Sequence, residues 1–104
     1  MRVWLYARLS NDDDREMNSL LNQREICQAF AEQHGYIIVG QSFDDNISGM
    51  SFDRRGLDEL MAAVDADKID AVIVKDLSRL GRHRTQTALF IDYLRDHQVR
   101  VISA

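Results

Sequence analysis

A short run of β-branched residues places the strongest limit on the fold. Residues 71–74 read Ala-Val-Ile-Val, and charged Asp70 and Lys75 flank them. A continuous apolar run of this length is typical of a strand that is buried on both faces, as in a parallel sheet covered by helices on each side. We therefore expect residues 71–74 to form a central strand.

The rest of the chain alternates between strand and helix patterns. Residues 2–9 alternate in polarity, and Leu57, Leu60, Met61 and Val64 repeat at helical spacing. The predicted strands cover residues 2–9, 36–43, 71–74 and 99–102, and the predicted helices run from a cap at Asn18 or Ser19 to about Gly35, over 55–66 and over 87–96. This order predicts one α/β domain in three layers, with a mostly parallel central sheet of about four strands flanked by helices.

Length and composition exclude several protein classes. The chain has 104 residues, of which 45% are hydrophobic and 29% charged, which is typical of one soluble globular domain. No apolar run approaches the roughly 18 residues of a membrane span, and no secretory signal is visible. The single cysteine, Cys27, excludes an internal disulfide and a zinc site built on cysteines. We expect a cytoplasmic protein with no membrane partner, in which Cys27 packs in the core.

The charged residues are biased toward arginine. Thirteen basic and seventeen acidic residues give a net charge of −4, and eleven of the thirteen cations are arginines. The planar guanidinium binds phosphate or carboxylate with two parallel hydrogen bonds. The three histidines share no spacing, so we expect neither a metal site nor a catalytic triad.

Three predicted loops leave the carboxyl ends of the strands, where ligands collect in open α/β sheets. Their polar residues are Tyr6, Arg8 and Ser10 from the first loop, Ser48, Gly49 and Arg54 from the second, and Lys75, Asp76, Ser78, Arg79 and Arg82 from the third. This placement gathers four arginines around a hydroxyl. Because like charges repel, such a cluster favours a bound anion, and the sequence predicts a phosphate site.

Each of these residues also has a simpler explanation when it is taken alone. Ser10 fits an ordinary turn serine, and Arg79 and Arg82 fit a solvated helix face. Gln23 can satisfy a backbone group at a sheet edge. The acidic run 12–14 fits a solvated loop.

The motifs in combination resemble a known family. They are Tyr6-Ala7-Arg8-Leu9-Ser10, Gln23-Arg24, Ser48-Gly49 followed by Asp53-Arg54 and Gly56-Leu57, and Asp76-Leu77-Ser78-Arg79-Leu80-Gly81-Arg82. In order and spacing they resemble the catalytic domain of the serine recombinases, which include resolvases, invertases and the large serine integrases and transposases. The likeness covers nearly the whole chain, and the third motif is most similar to that of the large recombinases of mobile elements.

The resemblance implies a site-specific DNA recombinase. Ser10 is then the nucleophile that attacks a DNA phosphodiester and forms a phosphoseryl intermediate, and no cofactor or metal is needed. The resemblance assigns Arg8, Arg54, Arg79 and Arg82 to the phosphate, with Gln23, Ser48 and Asp76 as supporting polar residues.

One position departs from the family pattern. Many small resolvases carry an acidic residue directly before the first arginine of the third motif, whereas this chain has Ser78 there and Asp76 two residues earlier. Asp76 is either a proton acceptor or donor, or a partner that orients Arg8 or Arg79.

The resemblance also implies DNA as the partner and a homodimer or tetramer as the assembly. We expect residues 1–104 to be the catalytic domain, truncated before the oligomerisation helix and the DNA-binding region. Two alternatives stay open. One is a receiver-like phosphoacceptor domain, in which residues 12–14 and Asp76 hold Mg²⁺. The other is a catalytically silent, DNA-associated assembly domain.

Overall fold

Four parallel strands form the middle layer of the molecule. The computed structural model describes residues 1–9, 19–45, 55–80 and 84–104. The strands of these ranges are β1 (Arg2–Leu9), β2 (Ile37–Asp45), β3 (Ala71–Val74) and β4 (Arg100–Ser103). They lie in the order β2-β1-β3-β4, and each neighbouring pair is parallel. The predicted parallel sheet is confirmed.

Helices cover both faces of this sheet. They are α1 (Leu20–Gln33), α2 (Arg55–Asp65) and α3 (Arg84–Asp96), and a 3-10 helix spans Leu77–Leu80. On one face, Cys27 and Ala31 of α1 share a buried cluster with Val3, Leu5, Ala71 and Ile73. On the other face, Leu60 and Val64 of α2 and Leu94 of α3 share a cluster with Tyr6, Val72 and Val74. Every residue of β3 is buried, which confirms residues 71–74 as a central strand.

Local signals set the bounds of α1. Its first turn is capped by Ser19, whose Oγ accepts a hydrogen bond from the backbone N–H of Asn22 at 3.1 Å. After the helix ends, Gly35 adopts a φ of +69°, a left-handed conformation that costs glycine little because it has no Cβ. The chain can therefore turn directly into β2.

Parts of the secondary structure differ from the sequence prediction. β2 continues through Asp44 and Asp45, which the sequence placed in a loop, because its pairing with β1 extends to Leu9 opposite Asp45. The 3-10 helix was not predicted. Helix α3 begins at Arg84, three residues before the predicted start. In the described ranges, no helix has the length and apolar character needed to cross a membrane.

Candidate active site

The end of β1 extends past its neighbour β3. The last pair between these two strands joins Leu5 to Ile73, and β3 ends at Val74. Continued in the same register, the pairing would place Arg8 opposite Asp76, where the chain has already left the sheet. On its β3 side the backbone of Arg8 has no strand to pair with, so other hydrogen-bond partners are needed there, because an unpaired buried peptide group is costly.

Gln23 of α1 supplies these partners. Its Oε1 accepts a hydrogen bond from the Arg8 N–H at 3.2 Å, and its Nε2 donates to the Arg8 carbonyl at 2.9 Å. The Gln23 side chain has no exposed surface. The simpler explanation of Gln23 as a backbone partner at a sheet edge is therefore correct. That backbone group lies two residues before Ser10.

Arg79, in the 3-10 helix that follows β3, binds the same Arg8 carbonyl. Its Nη1 donates to the Arg8 oxygen at 2.8 Å, and its Nη2 donates to Asp76 Oδ2 at 3.2 Å. Only 4% of Arg79 is exposed. The interpretation of Arg79 as part of a solvated helix face is therefore wrong, because its guanidinium is buried against the end of β1.

Asp76 lies three residues before Arg79 in the sequence and pairs with it in the structure. Its backbone carbonyl accepts from the Arg79 N–H at 3.3 Å, in addition to the ion pair between the side chains. Of the two roles considered for Asp76, this geometry fits the one that orients Arg79. A role in proton transfer stays a prediction.

The structure thus brings together four of the predicted site residues, Arg8, Gln23, Asp76 and Arg79, at the edge where the parallel strands end, hereafter the carboxyl edge. The other four, Ser10, Ser48, Arg54 and Arg82, lie outside the described residues.

A buried carboxylate at this edge was not among the predicted site residues. Asp44, which is 2% exposed, accepts hydrogen bonds through Oδ2 from the Tyr6 hydroxyl at 2.7 Å and the Leu57 N–H at 3.0 Å. Its Oδ1 accepts from the Gly56 N–H at 2.7 Å. A signal for this role exists, since Asp44 continues the alternation of β2 on the same face as Ser42.

Gly56 allows the first turn of α2 to lie directly on β2. A Cβ at Gly56 would lie 2.4 Å from the Phe43 carbonyl oxygen, a distance that no side chain can occupy. The Ser42 hydroxyl donates to the Gly56 carbonyl at 2.7 Å and accepts from the Trp4 indole at 2.9 Å. Backbone contact and side-chain hydrogen bonds therefore fix the start of α2.

Cys27 has the character of a core residue. It is 1% exposed, and burial, with a smaller contribution from the negative charge of Asp76, raises the pKa of its thiol to about 11. The thiol is therefore protonated at neutral pH and is a poor nucleophile. Cys27 also lines a cavity of about 610 Å³ whose walls include Leu5 of β1, Phe43 of β2 and Arg55 of α2.

The described residues contain no group of three or more His, Cys, Asp or Glu side chains placed to hold a metal ion.

Known proteins share both the sequence pattern and the fold of this chain. Residues 3–104 match the family described as Resolvase, N terminal domain. The structure of a resolvase family site-specific recombinase from Streptococcus pneumoniae is 30% identical, with a TM-score of 0.84 over 99% of this chain and 71% of that one. The C-terminal catalytic domain of ISC1926 TnpA, an IS607-like serine recombinase, is 26% identical, with a TM-score of 0.82 over 99% of this chain and 70% of that one.

A third structure shares the fold at lower identity. The N-terminal catalytic domain of TP901-1 integrase is 24% identical, with a TM-score of 0.83 over 99% of this chain and 76% of that one.

The family match covers nearly the whole chain, so a receiver-like phosphoacceptor domain is not favoured. The chain belongs to the resolvase family and is the catalytic domain of a serine site-specific recombinase.

Proposed function

We propose that this domain cleaves and rejoins DNA through Ser10. The Ser10 Oγ attacks a backbone phosphorus and forms a new O–P bond as the bond from phosphorus to the 3′ oxygen breaks. The serine proton passes to a base, and the 3′ oxygen takes up a proton and leaves as a hydroxyl. In the exchanged configuration a 3′ hydroxyl attacks the phosphoserine and reverses these steps. Because the ester conserves the bond energy, the cycle needs neither a cofactor nor ATP.

The observation that carries this proposal is the way in which the end of β1 is held. Gln23 and Arg79 both bind the carbonyl of Arg8, so the backbone two residues before Ser10 has a defined position. Phosphoryl transfer depends mainly on the positioning of the nucleophile and on the stabilisation of charge on the phosphoryl oxygens. A fixed strand end supports the first requirement.

Arginines supply the second requirement. We assign Arg8, Arg54, Arg79 and Arg82 to the phosphate, where charge-assisted hydrogen bonds stabilise the developing negative charge. The ion pair with Asp76 keeps Arg79 beside Arg8. Ser48 is a supporting polar residue in this scheme.

The partners follow from the reaction. The substrate is double-stranded DNA that carries recombination sites, and exchange of strands between two sites requires a homodimer or tetramer. The 104 residues span 70–76% of the three similar chains described above. We place the reaction in the cytoplasm. We assign the choice of DNA sites to a part of the protein outside these 104 residues.

Covalent capture on a suicide site tests the proposal. The full-length protein is incubated with a nicked site, and a protein–DNA adduct that resists denaturant is quantified. Wild type should form the adduct, and Ser10→Ala should form none while it still binds DNA, because it lacks the attacking oxygen but keeps the arginines. Tyr36→Phe, which removes one hydroxyl directly before β2 begins, at the opposite end of the strands from Ser10, is the control and should behave like wild type.

Two results would contradict the proposal. An adduct formed by Ser10→Ala would move the nucleophile to another residue, with Ser78 the first to examine. The absence of an adduct with wild type would favour the silent, DNA-associated assembly domain.

A further inference from the structure

We propose that Asp44 is a positioning residue of the recombination reaction, and that its buried carboxylate sets the first turn of α2 against the end of β1. This inference rests on the proposed function. It concerns a residue of β2 that the sequence motifs do not include.

The carboxylate of Asp44 joins two elements that lead to the site. Its hydrogen bond from the Tyr6 hydroxyl reaches β1, two residues before Arg8. Its hydrogen bonds from the Gly56 and Leu57 N–H groups reach the first turn of α2, and Arg54 is the residue before that helix in the sequence. One side chain therefore links the strand that leads to the nucleophile with the helix that follows a proposed phosphate ligand.

The chemistry of this link suits an ionised carboxylate. The N–H groups of a first helical turn have no partners within the helix, and they carry the positive end of the helix dipole. A carboxylate accepts from both of them and keeps a lone pair for the Tyr6 hydroxyl. An asparagine has the same shape but one acceptor oxygen, so its amide N–H would face one of these donors.

The position of the carboxylate indicates more than a contribution to folding. The Ser42 hydroxyl, which accepts from the Trp4 indole, already binds the Gly56 carbonyl, and Gly56 packs directly on the Phe43 backbone. Asp44 is left to set the fine placement of this turn. When a reaction depends on orientation, a shift of about 1 Å can lower its rate by about a hundredfold, even if the substituted residue lies far from the reacting atoms. We therefore expect the rate of cleavage to respond to Asp44 more than the affinity for DNA does.

The test measures adduct formation by the full-length protein at saturating DNA, at a temperature where circular dichroism shows every variant to be folded. We expect Asp44→Asn to slow the reaction by on the order of tenfold to a hundredfold, with DNA affinity changed by less than about twofold. Tyr6→Phe removes one of the three hydrogen bonds, and we expect it to slow the reaction by about threefold to tenfold. The double variant should be no slower than Asp44→Asn, because both substitutions break the same link between β1 and α2.

Asp70→Asn is the matched control. The Asp70 carboxylate also accepts three hydrogen bonds, from the backbone and side chain of Arg2, but it lies where β3 begins. Its variant should keep the wild-type rate even if its melting temperature falls.

Several outcomes would overturn the inference. Asp44→Asn at the wild-type rate would do so, and so would an equal loss of rate in Asp70→Asn, since the effect would then follow stability alone. If Asp44→Asn does not fold, Tyr6→Phe at the wild-type rate overturns it. A wild-type protein that forms no adduct would overturn the proposed function together with this inference, whereas the outcomes above leave that function intact.

Discussion

Two aspartates at opposite edges of the sheet show how differently this molecule uses its charged side chains. At the edge where the strands begin, hereafter the amino edge, Asp70 pairs with Arg2 at 3.1 Å, and both side chains are 43% exposed. At the carboxyl edge, Asp44 and Arg79 are 2% and 4% exposed, and their hydrogen bonds reach the backbone of neighbouring elements.

This difference separates two kinds of contribution. An exposed ion pair competes with water and adds little to stability. Removal of a buried charged group that binds the backbone leaves a buried peptide group without a partner. This lowers the free energy of unfolding by about 1–3 kcal/mol. Substitutions at the carboxyl edge should therefore affect both folding and cleavage, and those at the amino edge should leave cleavage unchanged.

Arg79→Ala should give the largest effect. It removes a donor to the Arg8 carbonyl and a proposed phosphate ligand, so we expect adduct formation to slow by about a hundredfold, or about 3 kcal/mol. Arg95→Ala is the matched control, because Arg95 also pairs with an aspartate three residues earlier, Asp92, but is 73% exposed. Equal rates for the two variants would remove the distinction between the edges.

Gln23→Leu should come next. It keeps the side-chain volume but leaves the Arg8 N–H and carbonyl without the amide, so we expect the free energy of unfolding to fall by about 2 kcal/mol. Urea denaturation measures this loss, and adduct formation should slow in parallel. The control is Gln28→Leu on the same helix, whose amide bonds Glu32 at the surface. A Gln23→Leu protein as stable as this control would show that water replaces the amide.

Substitution of two glycines compares the stability of the backbone at the two edges. Gly56→Ala should lower the free energy of unfolding by about 1–3 kcal/mol, because the Phe43 backbone must move to admit the new carbon. Gly35→Ala, at the turn before β2, has open space around its Cβ and meets only the strain of a positive φ, so it should lose about 1 kcal/mol. Thermal melts of both variants decide the order, and the reverse order would contradict the close docking of α2.

The smallest effect concerns acid. Arg2 holds the pKa of Asp70 down, at about 2, mainly through their side-chain hydrogen bond. A lowered pKa in the folded state adds stability that is present above the ordinary aspartate pKa and is lost as the pH falls from about 4 to about 2. Melting temperatures of Asp70→Asn across this range should fall less steeply than those of wild type. Parallel curves would show that the pair adds no acid-dependent stability.

The sequence predicts much of this molecule, and its failures have a common cause. The apolar run 71–74 predicts β3, and the repeat of Leu57, Leu60, Met61 and Val64 predicts α2, because each pattern lies within one element. The role of Asp44 depends on N–H groups 12 and 13 residues later in the chain, and the burial of Arg79 depends on a carbonyl 71 residues earlier. No local pattern reports such contacts. They become visible only when the strands and helices have been placed against one another.

The amide that replaces a strand beside Arg8 has a consequence for sequence variation. Along β3 the hydrogen-bond ladder between strands is made by the backbone. Val72 can therefore be exchanged for another apolar residue of similar size without loss of these hydrogen bonds. At Gln23 the side chain itself makes the ladder. It must accept from one group and donate to another at a fixed reach, and of the twenty residues only glutamine combines a primary amide with this length. The chain is therefore least tolerant of substitution where a side chain replaces backbone.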